Sequence, residues 1–209
     1  MTTLKDAIAD LLIDDILPMV QARLDRGDDP LDVLRECSAG MDIVGERYKA
    51  EDYFLSELVV AGEMFTEAMK LIEPLLAART AGDAKVGIVI GTVKGDIHNI
   101  GKDIAAVLLK AAGFEVHDLG VDVTPRAFVD KLKQTGACIL GLSGLLTPAF
   151  ESMRQTVEAV AAAGLRDKVK IILGGGVVTE GVLTFSGADA FTRDAMEGVA
   201  MCKRFAELA

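Results

Sequence analysis

At 209 residues, with 51% hydrophobic and 26% charged side chains, the chain has the balance of a folded protein and room for two small domains or one of moderate size. Its net charge of −10, with Arg166, Lys168 and Lys170 as the densest basic stretch, speaks against a nucleic-acid-binding surface, which needs clustered Lys and Arg. Acids run through the first apolar stretch and Gly or charge interrupts the later ones, so no signal peptide and no membrane span is expected; Cys37, Cys138 and Cys202 show no C-x-x-C spacing and read as reduced thiols of a soluble, cytoplasmic protein.

Residues 1 to about 80 read as helical. Apolar positions recur at helical spacing in Leu4, Ile8, Leu11 and Leu12, then in Leu31, Leu34, Met41 and Val44. A third run, Phe54 to Leu76, is apolar around much of its circumference and is expected to be the central, most buried helix. Breaks fall at 26–30, where Pro30 suits a helix start, and at 50–52, so a small antiparallel helical bundle is expected over 1–82. Near Thr80 to Asp83 the period changes. Strands are expected at 85–93, 114–120, 137–143, 170–175 and 188–192, with helices near 99–113, 125–135, 148–164, 177–186 and 194–208. Apolar strands alternating with amphipathic helices predict a doubly wound, flavodoxin-like five-stranded parallel sheet over 83–209. In such a sheet ligands bind beyond the carboxyl ends of the strands, where strand order reverses.

After the first strand the segment from Gly91 to Lys102 is too long for a simple turn and places His98 at the open end of the sheet. Asp96, two residues earlier, is close enough to accept a hydrogen bond from one ring nitrogen, which would fix the tautomer and free the other for a metal. The same pair also suits a loop histidine satisfied by its neighbour, or half of a general-base pair. His117 and the cysteines lie too far away to complete a set of ligands, so a bare metal ion is excluded. A metal that brings its own macrocycle needs only one axial ligand.

Asp96-x-His98-x-x-Gly101, Ser143-x-Leu145 and Gly174-Gly175 together resemble the cobalamin-binding signature D-x-H-x-x-G…S-x-L…G-G, in the right order and at the expected strand ends. Residues 43–65 are similar to the helical cap of methionine synthase and of small corrinoid proteins, and 141–153 to the corresponding stretch of methionine synthases. The resemblance implies a corrinoid bound base-off, with His98 as the lower cobalt ligand, Asp96 as its hydrogen-bond partner and the loop Gly95, Ile97, Asn99, Ile100 and Gly101 against the cofactor. It implies that Ser143 and Leu145 line the slot for the displaced nucleotide tail, that Thr147 reaches corrin side chains, and that Gly174 and Gly175 let the tail pass against the backbone. Phe54, with Leu58 and Ala61 or Met64, would cap the upper corrin face. Each residue also has a plainer reading: Gly174 to Gly176 as a strand-to-helix turn, Ser143 as a helix cap, the bundle positions as core. Two departures stand out. Ala149 occupies the place of a serine that backs the aspartate in methionine synthases, so the proton relay is expected to end at Asp96 or at water. Asn99 stands where many relatives carry a second aspartate.

With no room for the further modules of a methionine synthase, the chain resembles the corrinoid subunit of a three-component methyltransferase system. The resemblance implies a carrier without catalytic residues of its own. One methyltransferase would load Co(I) from a donor, and a second would pass the methyl from methyl-Co(III) to tetrahydrofolate or a thiol coenzyme. A reductive activating protein would be a third partner. A cobalamin-dependent sensor or regulator also joins a helical bundle to this domain, but it needs a DNA-binding segment that the acidic N-terminus does not offer. A mutase small subunit and a cobalamin-free flavodoxin-like domain are the remaining readings.

Overall fold

The computed structural model describes residues 2–77 and 86–207. The junction expected at 82–83 lies outside these residues, as do Lys85 and Leu208. The chain divides into two compact units, Met1–Arg79 and Thr80–Ala209.

The first unit is a bundle of α1 (Leu4–Ala9), α2 (Ile13–Asp25), α3 (Pro30–Lys49) and α4 (Leu55–Ala77). A capping box opens α1: the Thr3 hydroxyl accepts from the Asp6 N–H (3.1 Å), and the Asp6 carboxylate accepts from the Thr3 N–H (3.2 Å). The first apolar run does not form one helix. Leu11 turns left-handed at φ 56°, and the Leu11 and Leu12 N–H groups donate back to Ile8 (3.2 Å) and Ala7 (2.8 Å), which closes α1 in a Schellman motif. Leucine seldom adopts that conformation, so nothing in the apolar spacing announces the stop. Asp29 caps α3 by accepting from the Leu31 N–H (2.8 Å), with Pro30 in the first turn. Helix α4 buries a single stripe, Ala61, Met64, Phe65, Ala68, Met69, Ile72 and Leu76. Other apolar positions of this run stay outside the stripe, with Leu55, Val59 and Leu75 exposed. Helix α1 packs on α3, and α4 packs on both α2 and α3.

The second unit is a five-stranded, all-parallel sheet in the order β2-β1-β3-β4-β5, as expected from the alternating pattern. Its strands are β1 (Gly87–Thr92), β2 (Glu115–Asp118), β3 (Ile139–Ser143), β4 (Lys170–Gly174) and β5 (Ala190–Thr192). Between and after them run α5 (Ile100–Ala111), α6 (Pro125–Thr135), α7 (Ala149–Ala162), α8 (Glu180–Ser186) and α9 (Ala195–Ala206). Helices α5 and α9 pack together, and α6, α7 and α8 pack in series over the core of Val89, Leu140, Leu142, Phe128, Met153, Ile171 and Leu173. Each such side chain contributes roughly 1.5–3 kcal/mol through burial. Strand β1 has β2 on one side and β3 on the other, so the chain reverses direction across the sheet between them. The carboxyl ends of β1 and β3 are the switch point of the sheet, the place where ligands bind in doubly wound folds. Asp96-x-His98 follows β1, and Ser143-x-Leu145 follows β3.

Candidate functional site

The loop after β1 begins with a tight turn, in which the Asp96 N–H donates to the Val93 carbonyl (3.1 Å). Gly95, third in that turn, has φ 83°, which glycine adopts without strain. The turn carries the Asp96 side chain inward until the residue is 0% exposed. Both carboxylate oxygens are used. Oδ1 accepts from the His98 N–H (3.0 Å) and lies 2.6 Å from His98 Nδ1. Oδ2 accepts from the Leu145 (2.6 Å) and Leu146 (3.0 Å) N–H groups. Burial pushes this carboxyl up, but the three backbone N–H groups and the imidazole outweigh it and hold it at about 2. A carboxylate ionised at neutral pH fixes the proton of His98 on Nδ1 and leaves the lone pair on Nε2. The imidazole is 46% exposed, and the Thr92 hydroxyl holds the His98 carbonyl at 3.0 Å.

The loops after β3 and β4 complete the arrangement. Ser143 ends β3, its carbonyl accepting from the Val93 N–H (3.0 Å); no hydrogen bond within the described residues reaches its hydroxyl. Ala149 is buried against Gly144, where a Cβ would stand 2.8 Å from the alanine methyl. Where the sequence expected a relay ending at Asp96 or at water, the far oxygen of Asp96 accepts from two backbone amides. The two glycines differ. A Cβ on Gly174 would meet nothing nearer than the Leu142 oxygen at 3.9 Å. A Cβ on Gly175, at φ 144°, would fall 2.0 Å from the Gly144 carbonyl oxygen, so the collision there is within the chain itself.

Around His98 the carboxyl edge is unusually apolar. Ile97 is 72% exposed, and Val121, Leu145, Leu146 and Val177, each from a different loop or the same β3 loop, are also exposed. Sequence reasoning missed Val121, Leu146 and Val177. The signal available was valine or leucine in loops where turn residues are normally polar. Ile100 and Gly101 open α5, and nothing lies within 4 Å of a Cβ built on Gly101. Asn99 precedes them with its amide on Asp103 Oδ2 (2.8 Å). Thr147 is exposed and lines an open groove of about 410 Å³ with Phe150, Glu151, Thr179, Val182 and Phe185. Phe54 belongs to the helical unit, where it is 71% exposed and its N–H donates to Glu57 Oε2 (2.9 Å).

This donor set suits one kind of metal chemistry. No group of three metal-binding side chains occurs among the described residues, so a bare ion would find one nitrogen. A planar macrocycle that brings four equatorial ligands needs one nitrogen, an apolar platform and a passage for its substituents. His98 Nε2, the exposed leucines and valines, and the open space at Gly174 meet those three needs.

Known proteins are similar to the chain over most of its length. Residues 86–199 match a family model described as a B12 binding domain, and residues 1–73 match a second model of that description. The chain is 36% identical over 203 residues to the dimethylamine corrinoid protein of Methanosarcina barkeri, covering 96% of this chain and 94% of that one. It is 37% identical to trimethylamine corrinoid protein 1 of Methanosarcina acetivorans over 93% of this chain and 91% of that one. The solved monomethylamine corrinoid protein of Methanosarcina barkeri superposes with a TM-score of 0.86 at 30% identity, covering 95% of this chain and 94% of that one.

Proposed function

This chain belongs to the family of B12-binding corrinoid proteins, and on that premise we propose that it is a methyl carrier that binds a corrinoid base-off, with His98 Nε2 as the lower axial ligand of cobalt. The observation that carries the proposal is the Asp96–His98 pair at 2.6 Å, with Asp96 buried and ionised and His98 half-exposed beyond the carboxyl end of β1. When bound, the corrinoid supplies a cobalt centre on which a methyl group can travel between proteins.

The chain's own residues hold and orient. Asp96 keeps the imidazole in the Nε2-free tautomer and makes it a stronger donor. The Ser143 hydroxyl, without a hydrogen bond among the described residues, and the open backbone at Gly174 receive the nucleotide tail, with Leu145 along its path and Thr147 at the groove. Gly175 serves by keeping the β3 and β4 loops in contact. Ile97, Gly95, Asn99, Ile100 and Gly101 form the rim on the His98 side. Phe54 and Leu55 offer an exposed apolar surface suited to shielding the other corrin face from water.

Three relatives bear the names of mono-, di- and trimethylamine corrinoid proteins, so a methylated amine is the proposed donor class. A donor-specific methyltransferase would load the carrier, and a second would pass the methyl to a thiol coenzyme or tetrahydrofolate. A reductive activating protein would restore the cobalt after oxidation, all in the cytoplasm. The test is reconstitution with hydroxocobalamin and visible spectroscopy, then one-electron reduction to Co(II) with a chemical reductant and EPR. Wild-type protein should retain the chromophore with nitrogen-ligated cobalt, and His98→Ala should lose the nitrogen signature while keeping measurable binding. Wild-type protein that retains no chromophore sinks the proposal.

A further inference from the structure

Three residues outside the described signature hold the His98 loop, and one of them is conformationally costly. Asp122, in the loop after β2, has φ 53°, a left-handed conformation that non-glycine residues keep only when their surroundings demand it. Its surroundings consist of two hydrogen bonds to the β1 loop. The Asp122 carboxylate accepts from the Gly95 N–H (2.8 Å), and the Asp122 N–H donates to the Asp96 carbonyl (3.0 Å). These bonds grip the last two residues of the turn that carries Asp96. Beside them Val93 pairs with Val123 as an isolated bridge, and the Val123 N–H donates to the Thr92 carbonyl (2.9 Å). From α7, the Ser152 hydroxyl donates to the Lys94 carbonyl (2.8 Å). The turn is thus held from three directions, by the β2 loop, by α7 and by the β3-loop amides on Asp96.

We infer that Asp122 is a positioning residue for the axial histidine: its reciprocal clamp on Gly95 and Asp96 sets the turn that aims Asp96 at His98 Nδ1. The carboxylate is exposed, and its hydrogen bond goes to the Gly95 backbone rather than to the imidazole. Its value lies in fixing the backbone one residue before Asp96. Without the acceptor, Gly95 regains the freedom of a glycine, and the Asp96 carboxylate must hold the loop alone. This inference rests on the cofactor reading only for its cobalamin arm.

Three substitutions separate the hydrogen bond from the backbone strain. Asp122→Asn keeps an acceptor oxygen and tolerates a left-handed backbone. Asp122→Gly removes the acceptor but relieves the strain. Asp122→Ala removes the acceptor and keeps the strain. In the cofactor-free protein, ¹⁵N NMR of the His98 ring should show the Nδ1–H tautomer in wild type and Asp122→Asn, and averaging of the two tautomers in Asp122→Gly and Asp122→Ala. After hydroxocobalamin reconstitution, the ratio of His-ligated to His-free cobalt should fall about tenfold or more in the Gly and Ala variants, and stay within about twofold in Asn. Melting temperature serves as the control, and the Gly variant should melt no lower than the Ala variant. If the Ala and Gly variants keep the wild-type ring signals, or if Asn fails as they do, Asp122 does not act through this hydrogen bond. Wild-type protein that binds no cobalamin but shows the ring tautomer would sink the cofactor reading and leave the positioning role standing.

Discussion

A Cβ at residue 174 and one at residue 175 meet different surroundings, although the two glycines are adjacent in the same motif. At 175 it strikes the Gly144 carbonyl oxygen at 2.0 Å, and the backbone is left-handed as well. Gly175→Ala should therefore cost about 1–3 kcal/mol in urea unfolding of the cofactor-free protein, and should displace the loop whose amides hold Asp96. At 174 the nearest atom is 3.9 Å away, so Gly174→Ala should change stability by less than about 0.5 kcal/mol. If the nucleotide tail passes there, the same substitution should still weaken corrinoid binding, which equilibrium titration would measure. Asp96 makes a second prediction. Its carboxyl titrates at about 2 when folded, below its unfolded value, so the ionised form stabilises the sheet unit above about pH 4. That contribution is lost as pH falls from about 4 towards 2. Asp96→Asn should remove this acid-dependent component and cost about 1–3 kcal/mol at neutral pH, because its NH₂ must face donors on one side. Thermal melts of both proteins from pH 7 to 2 would show it.

Element boundaries followed the sequence where a cap was spelled out. Thr124-Pro125 and Gly136 frame α6, with the Thr124 hydroxyl accepting from the Ala127 N–H (3.3 Å) and Gly136 left-handed at φ 69°. They did not follow it at Leu11, where an apolar residue does the work usually given to glycine. The seat of α6 on the sheet was equally hidden. Phe128 is fully buried, and a Cβ on Gly91 of β1 would stand 2.8 Å from its ring. Gly91 in a strand looks like a weakness until its partner is known. Phe128→Ala should cost about 3–5 kcal/mol. Gly91→Ala should cost about 1–3 kcal/mol alone, and less in a Phe128→Leu background, a coupling that a double-mutant cycle by denaturant unfolding would detect.

The whole chain carries its charge unevenly. Residues 1–79 hold roughly twice as many acidic as basic side chains, whereas 80–209 are nearly balanced, so most of the net −10 sits on the helical unit. If that unit meets a basic methyltransferase surface, raising ionic strength from roughly 0.05 to 0.3 M should slow association several-fold. Stopped-flow mixing with the partner enzyme would measure this, and association insensitive to salt would place the docking surface elsewhere. The same charge balance that argued against a nucleic-acid partner thus bears on the partner that is proposed.

The sequence alone determined the fold class and the order of strands and helices in the second unit, because apolar period and turn chemistry are local properties. It also brought Asp96 and His98 together, since two residues in one loop cannot be far apart. Tertiary structure alone decided what stands behind Asp96. The Leu145 and Leu146 amides lie 49 and 50 residues along the chain, and a backbone N–H leaves no mark in the sequence, so only the β1–β3 pairing brings them to the far oxygen of Asp96. It likewise decided which glycine yields to a neighbouring loop and which leaves a passage open, because that depends on atoms the chain brings near from elsewhere.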